Sequence, residues 1–273
     1  MSIVNDLRRR VGLAPRHPTV AAVRLEGVIA SGGFRQGLTL AAVARALTAA
    51  FRQKRSSEVA LFVNSPGGAP VQAALIHDRI RWLAEKHDKR VTAFVEDIAA
   101  SGGYWIAVAA DDVVACPASI VGSIGVITAG FGFDRALERL GIDRRLYATG
   151  AHKGMLDPFR PEDESDVEIL RSLHAETYAA FVDLVKARRG DRLDLDAALF
   201  DGRVFTGTSA RRVGLVDRVG DPFSVLRERY GKDVRVRTFA PARVPWWRRL
   251  RGESLAESVM RAEERLSWAR YGL

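Results

Sequence analysis

From Thr19 to Phe239, short apolar runs alternate with longer stretches whose apolar residues recur every three or four positions. The first kind reads as buried strands, the second as amphipathic helices. Strands are expected at 19–30, 58–63, 91–96, 112–116, 123–128 and 144–148. Behind Thr39, an N-cap residue, Leu40, Val43, Leu47 and Phe51 share one helical face. Behind Pro70, Val71, Leu75, Ile76, Ile80 and Leu83 do the same. A helix starts near Ser101, and a short one is expected at 134–140. Pro161 followed by Glu162, Asp163 and Glu164 starts another, which should run to about residue 188. A helical piece at 196–200 and a helix at 206–213, stopped by Gly214, come next. Strands at 215–219 and 234–239 then flank a helix at 223–230. Alternation of this kind predicts an α/β fold, a parallel sheet with flanking helices and right-handed crossovers. The expected division is an N-terminal extension (1–18), one catalytic-size domain (19–240) and a basic, aromatic C-terminal helix (241–273, helical over about 254–270).

Composition narrows this picture only a little. Hydrophobic residues at 47% and charged residues at 27% are those of a globular chain with a full core. Cys116 is the only cysteine, so no intrachain disulfide exists. The net charge is 42 − 33 = +9. The basic residues are scattered, without zinc-ligand spacing or a long Lys/Arg block, so no nucleic-acid partner is expected. Residues 1–19 hold Arg8, Arg9 and Arg10 and no apolar core, so no signal peptide is read there. Residues 113–133 run for 21 positions without a charge, long enough to span a bilayer. They contain Pro117 and four glycines, and are taken instead as interior strands and turns. A cytoplasmic chain is therefore expected. Trp246, Trp247, Arg248 and Arg249 with the helix after them can make a peripheral contact with an anionic inner membrane, or simply pack.

Three places carry the candidate chemistry. Ser101 lies in Ile98-Ala99-Ala100-Ser101-Gly102-Gly103-Tyr104, where a strand ends, small residues turn and a helix begins. That placement has the logic of a nucleophile elbow, although Ala99 stands where G-x-S-x-G has its first glycine. On its own such a serine can as well be an N-cap. Asn64-Ser65-Pro66-Gly67-Gly68 is a second strand-end turn. Two adjacent parallel strands would bring both turns to one sheet edge. The amides of Gly68 and Gly102 could then face a developing oxyanion. A nucleophilic serine needs a base. Five of the six lysines sit beside other charges, whereas Lys153 stands in the small, apolar run Gly150-Ala151-His152-Lys153-Gly154-Met155-Leu156. Desolvation there would favour the neutral amine, a shift of two to three pKa units costing about 3–4 kcal/mol. His152 is a weaker candidate base. His77, His87 and His174 are expected on helix surfaces, and Asp97 is expected to be structural.

Taken together, residues 64–68, 99–104, Val121-Gly122-Ser123-Ile124-Gly125-Val126, Lys153, 201–207 and Gly214-Leu215-Val216-Asp217 resemble the signal peptide peptidase A/SohB family of serine peptidases. The resemblance covers roughly residues 20–235. It implies a ClpP/crotonase-like fold and a Ser–Lys dyad of Ser101 and Lys153. It also implies an oxyanion hole at Gly68 and Gly102, and a hydroxyl at Ser123 that orients the lysine. It implies no cofactor and no metal, a peptide or protein substrate, and a homo-oligomer whose active sites are shared between subunits. Family members usually carry an N-terminal membrane anchor, which is not read here. Two other readings stay open: a crotonase-type acyl-CoA hydratase or isomerase, and an inactive peptide-binding adaptor. The first typically relies on glutamates rather than a serine, and the second would require Ser101 or Lys153 to be missing.

Overall fold

Three near-continuous apolar runs, Thr19–Glu26 (β1), Glu58–Ser65 (β2) and Arg90–Ala100 (β3), lie side by side as the middle of a parallel sheet. The computed structural model describes residues 17–30, 37–240 and 265–273. The sheet is completed by Asp112–Ala115 (β4), Ile120–Gly122 (β5), Val204–Thr206 (β6), Arg218–Val219 (β7) and Arg235–Phe239 (β8). Its main path runs β6-β5-β3-β2-β1-β8. β3 is long enough to serve two neighbours: Thr92–Val95 pairs with β4 and Ile98–Ala100 with β5. Among the described residues only the β5–β6 pairing is antiparallel.

Alternate residues of each strand face opposite layers. On one face Val23, Leu61 and Ala93 meet the helices Leu40–Phe51 (α1), Pro70–His87 (α2), Gly102–Ala107 (α3) and Glu164–Arg189 (α5). On the other, Val20, Ala22, Ala60 and Phe94 meet Val225 and Leu226 of Pro222–Tyr230 (α7). Thr39 caps α1 as expected, its hydroxyl accepting from the Ala42 amide at 3.2 Å. Asp134–Leu140 (α4) and Gly207–Arg212 (α6) fall where the pattern placed helices. α5 starts at Glu164 behind the N-cap Asp163, two residues past Pro161.

Several expectations need correction. Residues 123–128 are not a strand. Ser123 takes φ +52° and gives its amide to the Arg203 carbonyl, and the chain leaves the sheet there. Residues 144–148 are exposed and form no strand among the described residues. Residues 196–200 form turns, and 215–217 are buried turn rather than strand. Of the uncharged stretch 113–133 only the first part is interior; Ile127 and Phe131 are 68% and 81% exposed. His77 is buried rather than on the surface. No helix among the described residues is long and apolar enough to cross a membrane. Trp246 to Arg249, and most of the expected C-terminal helix, lie outside the described residues.

The Gly214–Asp217 motif has a structural task. Arg189, only 2% exposed, gives one guanidinium nitrogen to the Gly214 carbonyl and two to the Asp217 carboxylate. Asp217 also accepts from the Val113 amide at 2.7 Å, tying α5 to the edge of β4. Burial pushes this carboxyl up, but the Arg189 and Val113 hydrogen bonds and the charge of Arg192 outweigh it and hold the group below its ordinary range. A depressed carboxyl contributes stability that is present above its unfolded pKa, about 3.9, and is lost as pH falls through the folded value. Asp217→Asn should therefore cost about 3 kcal/mol at pH 7, because it strands a buried guanidinium. Thermal unfolding of the two proteins from pH 7 to pH 3 should show that gap closing in acid; a gap independent of pH would contradict this role.

Candidate active site

The two turns meet at the carboxyl edge of the sheet because β2 and β3 are neighbours. Asn64 braces the junction: its side chain donates to Asp97 Oδ2 at 2.8 Å and accepts from the Ile98 amide at 3.2 Å. Asp97 is thus engaged in holding the turn. Ser101 follows directly, with φ +51° and ψ −123°. A non-glycine residue held there stores about 1–3 kcal/mol of backbone strain. Its surroundings fix it, since its amide donates to the Gly122 carbonyl and its carbonyl accepts from the Trp105 amide. The side chain stays partly exposed.

Gly68 lies opposite. Ile29 bridges to it as a single parallel pair, giving its amide to Gly67 and accepting from Ala69. That pattern engages the amides on either side and turns the Gly68 N–H away from Ile29. A Cβ on Gly68 would lie 2.0 Å from the Ile29 carbonyl oxygen, and φ is +132°, so only glycine fits. A Cβ built on Gly102 would lie 3.5 Å from the Gly68 nitrogen, so the two backbones meet beside Ser101. Among the described residues neither the Gly68 nor the Gly102 amide has an acceptor. Two free N–H groups beside a strained serine can stabilise an oxyanion that forms on attack.

These groups open into a cleft of about 870 Å³ that also contains Ser123. Trp105 and Phe181 stack at 4.6 Å along it. Four cleft residues, Arg171, His174, Tyr178 and Phe181, lie on one face of α5; the sequence reading placed His174 on a helix surface and did not single out the other three. Their spacing of three or four was the available signal. His174 Nε2 is 2.8 Å from Thr128 Oγ1, and Tyr178 gives its hydroxyl to the Phe200 carbonyl. Tyr104, from the Ser101 motif, is fully buried and bonded to the Leu215 carbonyl, so it anchors α3 and does not face the cleft.

Lys153 does not line this cleft. It sits on an exposed turn of an arm, residues 127–163, that carries α4. It is exposed, and its side chain has neither a hydrogen bond nor an ion pair among the described residues, which do not supply the expected apolar surroundings. Its neighbour His152 pairs with Asp166 at 2.8 Å, which pins the turn to the start of α5 and occupies the weaker candidate base. The arm is ordered by Phe133 stacked on Phe159 at 5.5 Å and by the Arg144–Asp157 ion pair at 3.1 Å. It nevertheless exposes Phe131, Leu140 and Tyr147. Among the described residues no group of three or more His, Cys, Asp or Glu could hold a metal ion.

Comparison with known proteins fits this arrangement. The family model Peptidase family S49 matches residues 84–233, and the Clp protease model matches residues 25–121. A Brucella melitensis protein named Na(+)/H(+) antiporter NhaA is 45% identical over 271 residues, 93% of this chain but only 37% of that protein. Protease 4 of Haemophilus influenzae is 30% identical over 74% of this chain and 32% of its own length. The chloroplastic serine protease SPPA of Arabidopsis thaliana is 33% identical over 62% of this chain and 25% of its own. The chain thus spans about a third of these relatives. A mutant of the 1510-N membrane-bound stomatin-specific protease, in complex with a substrate peptide, superimposes with a TM-score of 0.53 at 17% identity. That alignment covers 83% of this chain and 94% of the other, and shows a shared ClpP-like fold. With more than half of its length matched by one family model, and the turns that bear Ser101 and Gly68 at one sheet edge, the chain belongs to peptidase family S49.

Proposed function

We propose that this chain is a serine endopeptidase in which Ser101 is the nucleophile and the partner's Lys153 is the general base. The observation that carries the reading is Ser101 at φ +51° beside the unpartnered amides of Gly68 and Gly102. Ser101 Oγ attacks the scissile carbonyl carbon while its proton passes to the lysine Nζ. The carbonyl oxygen becomes an oxyanion between the two amides. Collapse expels the amine, which takes the proton back from the lysine, and water then hydrolyses the acyl-enzyme by the same route. Ser123, inside the cleft, receives and orients the incoming lysine.

A second copy supplies the base because one chain leaves Lys153 outside its own cleft. The same arm shows Ile127, Phe131, Leu140 and Tyr147 at 68%, 81%, 70% and 90% exposure, apolar surface of the kind that a partner covers. Burial there would also desolvate the lysine, which a base requires. Substrates would be extended or unfolded peptides, including signal-peptide remnants and other membrane-derived segments. The likeness to part of a protein named as an antiporter supports work beside a membrane. Among the described residues lining the cleft there is no glutamate, which speaks against glutamate-driven acyl-CoA chemistry.

The test is incubation with unfolded casein, followed by a fluorophosphonate probe and peptide mapping. Cleavage together with modification at Ser101 is expected. Cleavage with the label elsewhere, or no cleavage and no label, would sink the assignment.

A further inference from the structure

One wall of the candidate cleft comes from a segment far along the chain. Ser267, Arg270 and Tyr271, from the C-terminal segment, line the same space as Ser101 and Ser123. Tyr271 gives its hydroxyl to Ser123 Oγ at 3.4 Å, across 148 residues of sequence. The segment is a helical turn, closed by bonds from the Arg270 amide to Leu266 and from the Tyr271 amide to Trp268. Tyr271 is half-buried there, although it lies two residues from Leu273.

From this contact we infer that residues 267–271 are an intramolecular competitor for the peptide cleft, and that Tyr271 holds Ser123 until the partner's lysine and a substrate displace it. The inference rests on the peptidase reading for its consequence, but its geometry stands apart from it. A serine hydroxyl has one hydrogen and two lone pairs, and a phenol seated on it uses part of that capacity and the space beside it. A lysine that is to be oriented by Ser123 needs the same oxygen. An extended peptide entering the cleft likewise meets residues 267–271 along its wall. The segment belongs to the same chain, so its contact with the cleft is intramolecular, with an effective concentration of about millimolar order. An occupant with only millimolar intrinsic affinity then fills the cleft for a sizeable fraction of the time. A dissociation constant about twofold to ninefold below that concentration raises the apparent KM, by one plus their ratio, about threefold to tenfold without changing kcat. Assembly and substrate together would relieve it, so isolated copies would be held quiet.

Two measurements on the full chain test this. The first is kinetics on a short unstructured peptide with Tyr271→Phe, which removes only the hydroxyl, and Tyr271→Ala. Both should lower KM by threefold or more at unchanged kcat. Adding a synthetic peptide of residues 265–273 to Tyr271→Ala should restore the higher KM. The second replaces Tyr271 with the photoreactive benzoylphenylalanine and maps the adduct by mass spectrometry. An intramolecular adduct on residues 122–127 is expected. A fall in kcat at unchanged KM would instead make Tyr271 an aid to Ser123 and overturn the competitor role. An adduct elsewhere, or only between two chains, would overturn it too. Should neither the wild type nor the variants cut the peptide, the peptidase reading falls, and the adduct alone decides whether the segment occupies the cleft.

Discussion

Lys153→Ala should lower casein hydrolysis about a hundredfold or more, the scale of a lost general base, and leave the unfolding temperature where it was. The second half follows from exposure: the side chain makes no hydrogen bond or ion pair among the described residues. Surface substitutions of that kind stay within about 0.5 kcal/mol. The first half follows from the proposed dyad, with His174 as the competing base inside the cleft. Arg171 and Arg270 line it, and a guanidinium does not give up its proton. The Tyr178 hydroxyl is committed to the Phe200 carbonyl. Hydrogen bonds from Arg203 and its backbone amide hold the Asp201 carboxyl below its ordinary range, so it is a poor proton acceptor near neutrality. His174 remains, engaged with Thr128 at 2.8 Å. His174→Ala is therefore the control. A large loss in that variant, with Lys153→Ala unaffected, would transfer the base to the histidine.

Gly68→Ala should be the more damaging of the two methyl additions at the oxyanion turns. The new carbon would meet the Ile29 carbonyl oxygen at 2.0 Å, a backbone atom that cannot swing aside. It would also force an alanine into φ +132°, which costs about 1–3 kcal/mol before the clash is counted. Relief requires the 66–69 turn to move, and the Gly68 amide moves with it. Loss of one oxyanion donor lowers kcat by about a hundredfold to a thousandfold. Gly102→Ala is the useful contrast for stability. Its Cβ would meet the end of the Ile29 side chain at 3.0 Å, a flexible group, and alanine suits a helical position better than glycine by about 1 kcal/mol. Chemical denaturation should show Gly68→Ala clearly destabilised and Gly102→Ala close to the parent. Equal midpoints for the two would mean that the Ile29–Gly68 bridge is not formed.

The strand–helix order was legible because buried parallel strands and amphipathic helices leave different periods, and the turns at 64–68 and 98–104 punctuate them. Adjacency of β2 and β3 then made the meeting of Ser101 with Gly68 foreseeable. Four things were not legible. A run such as 123–128 is apolar because part of it lines a cleft, and composition does not separate that from a strand interior. The surroundings of Lys153 depend on what covers the arm, and its sequence neighbours, though apolar, are themselves exposed. The burial of His77 also left no local signal: burial, the leading cause, holds its pKa below the ordinary value against the opposing pull of Asp78. Contacts that span most of the chain, such as Tyr271 on Ser123, leave no local pattern at all.

The most direct test of a base supplied in trans is mixing. Ser101→Ala and Lys153→Ala, each inactive alone, are combined in equal amounts and left to exchange subunits, and casein hydrolysis is followed. If each site takes its serine from one copy and its lysine from the next, about a quarter of the sites regain both groups, and about a quarter of the parent activity returns. If serine and lysine belong to the same copy, the mixture stays as inactive as its parts, and the shared-site account fails.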